Sequence, residues 1–224
     1  MADNRGHLLP VYVLADESYS MSEYAGELNA GMISLHEALR SEPMVAAKVR
    51  LSVLGFSDDV VVRMALADLR SEEGLPQLQI RNATNYHAAF QDLLTRIPQD
   101  ISTLKASGYL VHRPAVFFLS DGQPSDSKWR KQHAQLTDKS VTPAAPNIIA
   151  CGVGEVKAGT ILQVATQQDF AFVSVAGTDI GTSIAKFFIA LTSSVVQSGR
   201  SLTSANPQLV VERPEGFTMA IDVV

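Results

Sequence analysis

What most constrains this chain is a set of short apolar runs that have no polar face. Leu8-Leu9-Pro10-Val11-Tyr12-Val13-Leu14-Ala15, Ala115-Val116-Phe117-Phe118-Leu119 and Asn147-Ile148-Ile149-Ala150-Cys151-Gly152-Val153 are all of strand length. A strand with one wet face alternates apolar and polar residues. These runs do not alternate, so each must be covered on both sides, as in a parallel sheet between layers of helices. Segments with the helical period lie between them. Tyr24, Leu28, Met32, Leu35 and Leu39 recur every three or four residues after Ser22, a natural N-cap with Glu23 in the first turn, and this helix should end before Pro43. Residues 86–101 repeat the pattern through Ala89, Phe90, Leu93, Leu94 and Ile97, with Pro98 placed to end or kink the helix. Further helices are expected from Ser125 or Asp126, over 159–166 and over 180–196, with another strand at 170–173.

Residues 49–56 and 60–64 flank the turn Ser57-Asp58-Asp59 and predict an antiparallel hairpin at one sheet edge. The expected architecture is therefore a three-layer, Rossmann-like α/β fold: a mostly parallel central sheet, one antiparallel edge strand, and helices on both faces. One domain should occupy 8–198. Residues 199–224 form a C-terminal extension in which Leu209-Val210-Val211-Glu212 and 217–224 predict a second β-hairpin around Arg213-Pro214-Glu215-Gly216.

Composition narrows the function. At 224 residues and 46% hydrophobic the chain can bury a full core, and a net charge of -5 gives no basic field for nucleic acid or anionic lipid. Its single cysteine, Cys151, makes no internal disulfide, and its polar N-terminus and short first apolar run predict neither a leader nor a membrane span, so a cytoplasmic location is expected.

The residues with chemical potential lie where buried strands end. Asp16-Glu17-Ser18-Tyr19-Ser20 has the form Asp-x-Ser-x-Ser and follows the first strand; Thr84 precedes the second long helix; Asp121 follows the strand 115–119. Asp and Ser are ordinary turn and cap residues when taken alone. In an open parallel sheet, however, residues beyond the carboxyl ends of strands share one crevice. Two carboxylates about 4 Å apart there repel by roughly 4 kcal/mol at an effective dielectric of about 20, whereas a helix N-terminus returns only about 0.3–1 kcal/mol. A cation is the economical remedy. Two carboxylates and three hydroxyls, with no thiol or imidazole, suit a hard ion such as Mg²⁺ rather than zinc or copper, and leave an exchangeable position for a carboxylate of another molecule.

With these residues the sequence resembles the von Willebrand factor A domain family, whose metal-ion-dependent adhesion site combines Asp-x-Ser-x-Ser, a Thr from a second loop and an Asp from a third. The resemblance spans about residues 8–198 and implies a metal set of Asp16, Ser18, Ser20, Thr84 and Asp121. The run Asp121-Gly122-Gln123-Pro124-Ser125-Asp126, with Asn147-Ile148-Ile149-Ala150-Cys151-Gly152, is similar to bacterial TerY-type members associated with tellurium resistance and stress response. That likeness implies a noncatalytic, cytoplasmic docking module using Mg²⁺, or Mn²⁺ or Ca²⁺, to bind an Asp or Glu of a protein partner such as a co-encoded kinase or phosphatase. Tyr19 stands where a Gly is usual, and Asn82-Ala83 precede Thr84 where Gly residues are common.

Other chemistries have less support. Haloacid-dehalogenase-type phosphatases need Asp-x-Asp, and Ser18 occupies the position of their acid/base carboxylate. No phosphate-cradling Gly motif follows a strand, and no nucleophile elbow surrounds a serine. A purely structural A-type scaffold without a working metal remains as an alternative, beside a metal-dependent phosphohydrolase. Lys128-Trp129-Arg130-Lys131 reads as a solvated helix face, Asp126 as a helix cap, Asp58 and Asp59 as turn residues, and Tyr19 and Tyr86 as either an aromatic rim or core packing.

Overall fold

A computed structural model describes residues 5–72, 74 and 76–223. Met1 to Asn4, Glu73, Leu75 and Val224 lie outside it, and with them much of the polar N-terminus, part of the loop at 74–76 and the last residue of the expected hairpin. The strands are β1 (His7–Asp16), β2 (Val49–Phe56), β3 (Val60–Ala67), β4 (Leu110–Val111), β5 (Ala115–Ser120), β6 (Asn147–Gly152), β7 (Ala171–Ser174) and β8 (Phe217–Met219). The helices are α1 (Ala25–Arg40), the single turn α2 (Pro43–Ala46), α3 (Tyr86–Ala106), α4 (Trp129–Thr137), α5 (Ala158–Val164) and α6 (Ile180–Ser201).

The sheet order is β3-β2-β1-β5-β6-β7-β8, with β4 beside the start of β1. β1 pairs in parallel with β2 on one side and β5 on the other, and the parallel run continues through β6 and β7. β3 is the antiparallel edge expected from the hairpin. β8 adds a second antiparallel strand at the opposite edge. Pro10, which has no N–H to donate, falls in the gap between the β4 pairing at residues 7–8 and the β5 pairing that begins at Val11.

Strand alternation divides β1 between two cores. Val11, Val13 and Ala15 face the side covered by α1 and α6, with Leu28, Met32, Leu35, Phe187, Phe188 and Leu191. Tyr12 and Leu14 face the side covered by α3, α4 and α5, with Tyr86, Phe90, Leu93, Trp129 and Ile161. Each fully buried large apolar side chain contributes about 1.5–3 kcal/mol of transfer free energy, so these two faces fix the three-layer arrangement. α6 is long and apolar enough to match a membrane span by length and composition, but half of that stretch is buried, as in a core helix. Its N-cap Asp179 accepts from the Thr182 amide at 2.7 Å, and the N-cap Asn85 of α3 accepts from Ala88 at 3.1 Å.

Several local expectations are corrected. Ser22 does not cap α1: residues Tyr19–Tyr24 form a 3₁₀ turn closed by the Met21 amide on the Ser18 carbonyl, and α1 starts at Ala25. Met21, within this turn, is buried; such tight turns are frequent at helix N-termini. α4 begins at Trp129 rather than at residue 125 or 126, because the Asp126 carboxylate accepts the Lys128 amide in a local turn. α3 runs through Pro98 to Ala106, held by Ile97 and Ile101 on its buried face.

The expected C-terminal hairpin is not formed. Leu209 and Val211 pack against the α1/α6 core, but the segment runs along α6, where the Val210 and Glu212 amides donate to the Ser198 and Ser194 hydroxyls at 2.8 and 2.9 Å. These serines, four residues apart on one face of α6, take the place of a partner strand. β8 pairs instead with β7, matching Phe172 with Met219 and Ser174 with Phe217.

On the α3/α4 side, His133 lies edge-on to Phe90 and Trp129 and bonds the Val164 carbonyl through Nε2 at 2.8 Å. Desolvation lowers its pKa, so the fold favours the neutral ring. Its contribution should be complete above the unfolded value of about 6.5 and be lost as pH falls through that value. Urea unfolding should show the native chain losing stability relative to His133→Gln between about pH 8 and about pH 5.5; a pH-independent difference would contradict this.

Candidate metal centre

β1 is the point from which the sheet extends in both directions, so the carboxyl ends of β1 and β5 border a crevice at a topological switch. Asp16 ends β1, and Asp121 directly follows β5. Asp16 is fully buried. Its Oδ1 accepts the Ser18 amide at 2.9 Å, and its Oδ2 accepts the Ser120 hydroxyl at 2.5 Å. Ser18 and Ser20 hydroxyls lie 3.1 Å apart, and Ser20 donates to Asp121 Oδ1 at 2.9 Å. The Ser18 amide on Asp16, and the Ser18 and Ser20 hydroxyls leading on to Asp121, thus connect the two carboxylates through one short loop.

Thr84 reaches the same place from the loop before α3. A Cβ built on Gly122 would stand 3.1 Å from Thr84 Oγ1, so this glycine lets the Thr84 hydroxyl approach the residue next to Asp121. The Thr84 carbonyl also accepts from the Ser125 amide and hydroxyl at 3.1 and 2.9 Å, tying the second loop to the third. Hydrogen bonds therefore connect Asp16, Ser18, Ser20 and Asp121, and Thr84 lies beside Gly122, the neighbour of Asp121.

Electrostatics there favour a positive guest. Burial pushes the Asp16 carboxyl up to about 6, against hydrogen bonds from Ser120 and Ser18, and the charge of Asp121 adds to the rise. Burial likewise raises Asp121, partly offset by the bond from Ser20. Among the described residues no group of three or more His, Cys, Asp or Glu side chains is arranged to hold an ion. An ion here would draw the rest of its shell from hydroxyls and water, which fits a hard cation that keeps several waters.

No family profile matches the sequence, and no curated protein is detectably similar to it. Solved structures do match in shape. Proximal thread matrix protein 1 from the mussel byssus, in a form with a zinc-occupied MIDAS motif, aligns at TM-score 0.58 and 15% identity over 86% of this chain and 48% of that one. The pilus adhesin SpaC of Lactobacillus rhamnosus GG aligns at TM-score 0.65 and 10% identity over 85% of this chain and 31% of that one. A von Willebrand factor type A protein from Catenulispora acidiphila aligns at TM-score 0.55 and 13% identity, over 85% and 43%. The chain has a von Willebrand type A fold. It spans less than half the length of each of these three proteins.

Within this A-type fold, several residues around the crevice have roles that the sequence did not reveal or left open. Ser120 donates to Asp16 and accepts the Gly122 amide at 3.1 Å; its position beside Asp121 was the available signal. Tyr86 is core rather than rim: its ring packs against Phe56, Phe118 and Trp129, and its hydroxyl donates to the Gly122 carbonyl at 3.0 Å. Tyr19 is the rim residue, 74% exposed. Trp129, read as part of a solvated basic face, is buried, with Arg130 over its ring at 5.2 Å. Glu17 is wholly buried and bound by Arg63 and Arg81, partners 46 and 64 residues away that no local pattern reveals.

Proposed function

We propose that this A-type chain is a metal-dependent protein-docking module. Asp16, Ser18, Ser20, Thr84 and Asp121 hold a divalent cation that receives an Asp or Glu carboxylate from a protein partner. The observation that carries the reading is the hydrogen-bonded grouping of Asp16, Ser18, Ser20 and Asp121 at the ends of β1 and β5, with Thr84 beside Gly122 and the Asp16 carboxyl buried and pushed up to about 6. Mg²⁺ suits this oxygen set best, with Mn²⁺ or Ca²⁺ as substitutes; the zinc-occupied motif of the byssus protein supports divalent binding on this fold. When bound, the ion supplies positive charge and an exchangeable position. The chain's own residues orient it, and exposed Tyr19, between two of the hydroxyls, offers the partner an aromatic contact.

The finer assignment rests on the resemblance to TerY-type proteins. It places the module in a bacterial tellurium-resistance or stress-response system, in the cytoplasm, with a co-encoded kinase or phosphatase as partner. Catalysis is not part of the reading. Ser18 stands where a phosphohydrolase of the Asp-x-Asp type needs its acid/base carboxylate.

Affinity capture with the native chain, run in Mg²⁺ and in EDTA, tests docking beside an assay of p-nitrophenyl phosphate turnover. A partner retained by native chain in Mg²⁺, and released both by EDTA and by Asp121→Ala, is expected, with no turnover. Mg²⁺-dependent turnover abolished by Asp16→Ala would make the site a phosphohydrolase. Partner retention indifferent to chelator and to the substitution would leave a structural scaffold.

A further inference from the structure

The two variable positions of Asp-x-Ser-x-Ser face opposite ways: Tyr19 is exposed, while Glu17 has no solvent exposure. A carboxylate in that setting needs several charge-assisted partners, and Glu17 has them. Arg63 on β3 grips it with Nε and Nη2, both at 2.8 Å. Arg81 adds Nε at 3.0 Å, and the Gln79 amide donates at 2.9 Å. Arg81 continues to the carbonyls of Gly55 and Asp59 and to the Asp59 carboxylate.

The backbone follows the same path. The Arg81 amide donates to the Glu17 carbonyl at 2.6 Å, and the Tyr19 amide to the Asn82 carbonyl at 3.0 Å. Beyond these contacts, the Ser57 hydroxyl donates to the Ala83 carbonyl at 2.8 Å, and the Asn85 amide to the Ser57 carbonyl at 2.9 Å. Residues 79–85, which carry Thr84, are regular in neither helix nor strand up to the start of α3, so these contacts fix their course. Gly55 completes the seat: a Cβ there would stand 2.1 Å from Glu17 Cδ, so the carboxylate lies directly on the β2 backbone.

We infer that Glu17 is a positioning residue of the metal centre: with Arg63 and Arg81 it locks the loop bearing Thr84 against the loop bearing Ser18 and Ser20. The inference rests on the metal-docking reading and adds a residue that contacts no ion. Outer partners that orient ligands typically change metal affinity by about 10- to 100-fold when removed.

Calorimetric titration with Mg²⁺ tests it, at a temperature where each chain is folded by circular dichroism. Glu17→Gln, isosteric but uncharged, should weaken Mg²⁺ binding by about 10-fold or more. Leu35→Ala, a cavity in the α1/α6 core, should lower the thermal midpoint and leave Mg²⁺ affinity unchanged, which separates positioning from general destabilisation. Should Glu17→Gln not fold, Arg81→Lys, which keeps the charge but loses the fork to Glu17 and Gly55, carries the same expectation. Native chain that binds Mg²⁺ while the Glu17 or Arg81 variant binds within about twofold would overturn the inference and spare the metal centre. Native chain without saturable Mg²⁺ binding would overturn both.

Discussion

Glu17→Ala is expected to lower folding stability by about 3 kcal/mol, the lower end of the usual range for removing one partner of a buried ion pair. Two cations lose their shared carboxylate, but Arg81 keeps Asp59 and Arg63 keeps Gln79 Oε1, at 3.2 Å, which softens the loss. For a chain of this size that corresponds to a fall in Tm of roughly 6–12 °C. Gly55→Ala should destabilise separately, by about 1–3 kcal/mol, because its methyl would overlap the Glu17 carboxylate. The two effects share one space, so the double variant should lose less than their sum by about 1 kcal/mol or more. Thermal and urea unfolding of the four chains measures this. Strict additivity, or a Glu17→Ala cost below about 1 kcal/mol, would show that the buried cluster does not hold the loops together.

Trp129→Ala should cost about 3–5 kcal/mol, as removal of a large buried aromatic does. Its ring centroid lies 5.8 Å from Tyr86, 5.6 Å from Phe90 and 5.7 Å from His133, so the indole joins α4 to α3. The cavity would open beside the ring whose hydroxyl steadies the Gly122 carbonyl. Urea unfolding followed by far-UV circular dichroism avoids relying on the lost fluorophore. A change under about 0.5 kcal/mol, as for an exposed helix position, would contradict the observed packing.

These two positions also mark where sequence stopped being informative. The buried strands were legible because apolar runs such as 115–119 satisfy only a sheet covered on both faces, and the order of Asp16, Thr84 and Asp121 at element ends pointed to a common crevice. Trp129 was obscured by its flanking cations, Lys128, Arg130 and Lys131, whose heads reach solvent while the indole turns inward. Glu17 was obscured because a carboxylate in a polar loop reads as exposed, and its arginines come from β3 and from the loop at 79–85. The hairpin misjudged at 209–224 had suitable β-formers. Local pattern could not show that serines on α6 would accept the backbone donors of one half, or that the edge of β7 would take the other.

On the proposed reading, the crevice between β1 and β5 binds a divalent cation through Asp16 and Asp121 together with the hydroxyls beside them. Calorimetric titration of the chelator-stripped native chain with Mg²⁺, beside the Asp16→Ala/Asp121→Ala variant, measures it directly. Saturable one-site binding by the native chain and none by the variant is expected; equal heats from both chains, or no saturation in the native one, would rule out a cation held by these carboxylates.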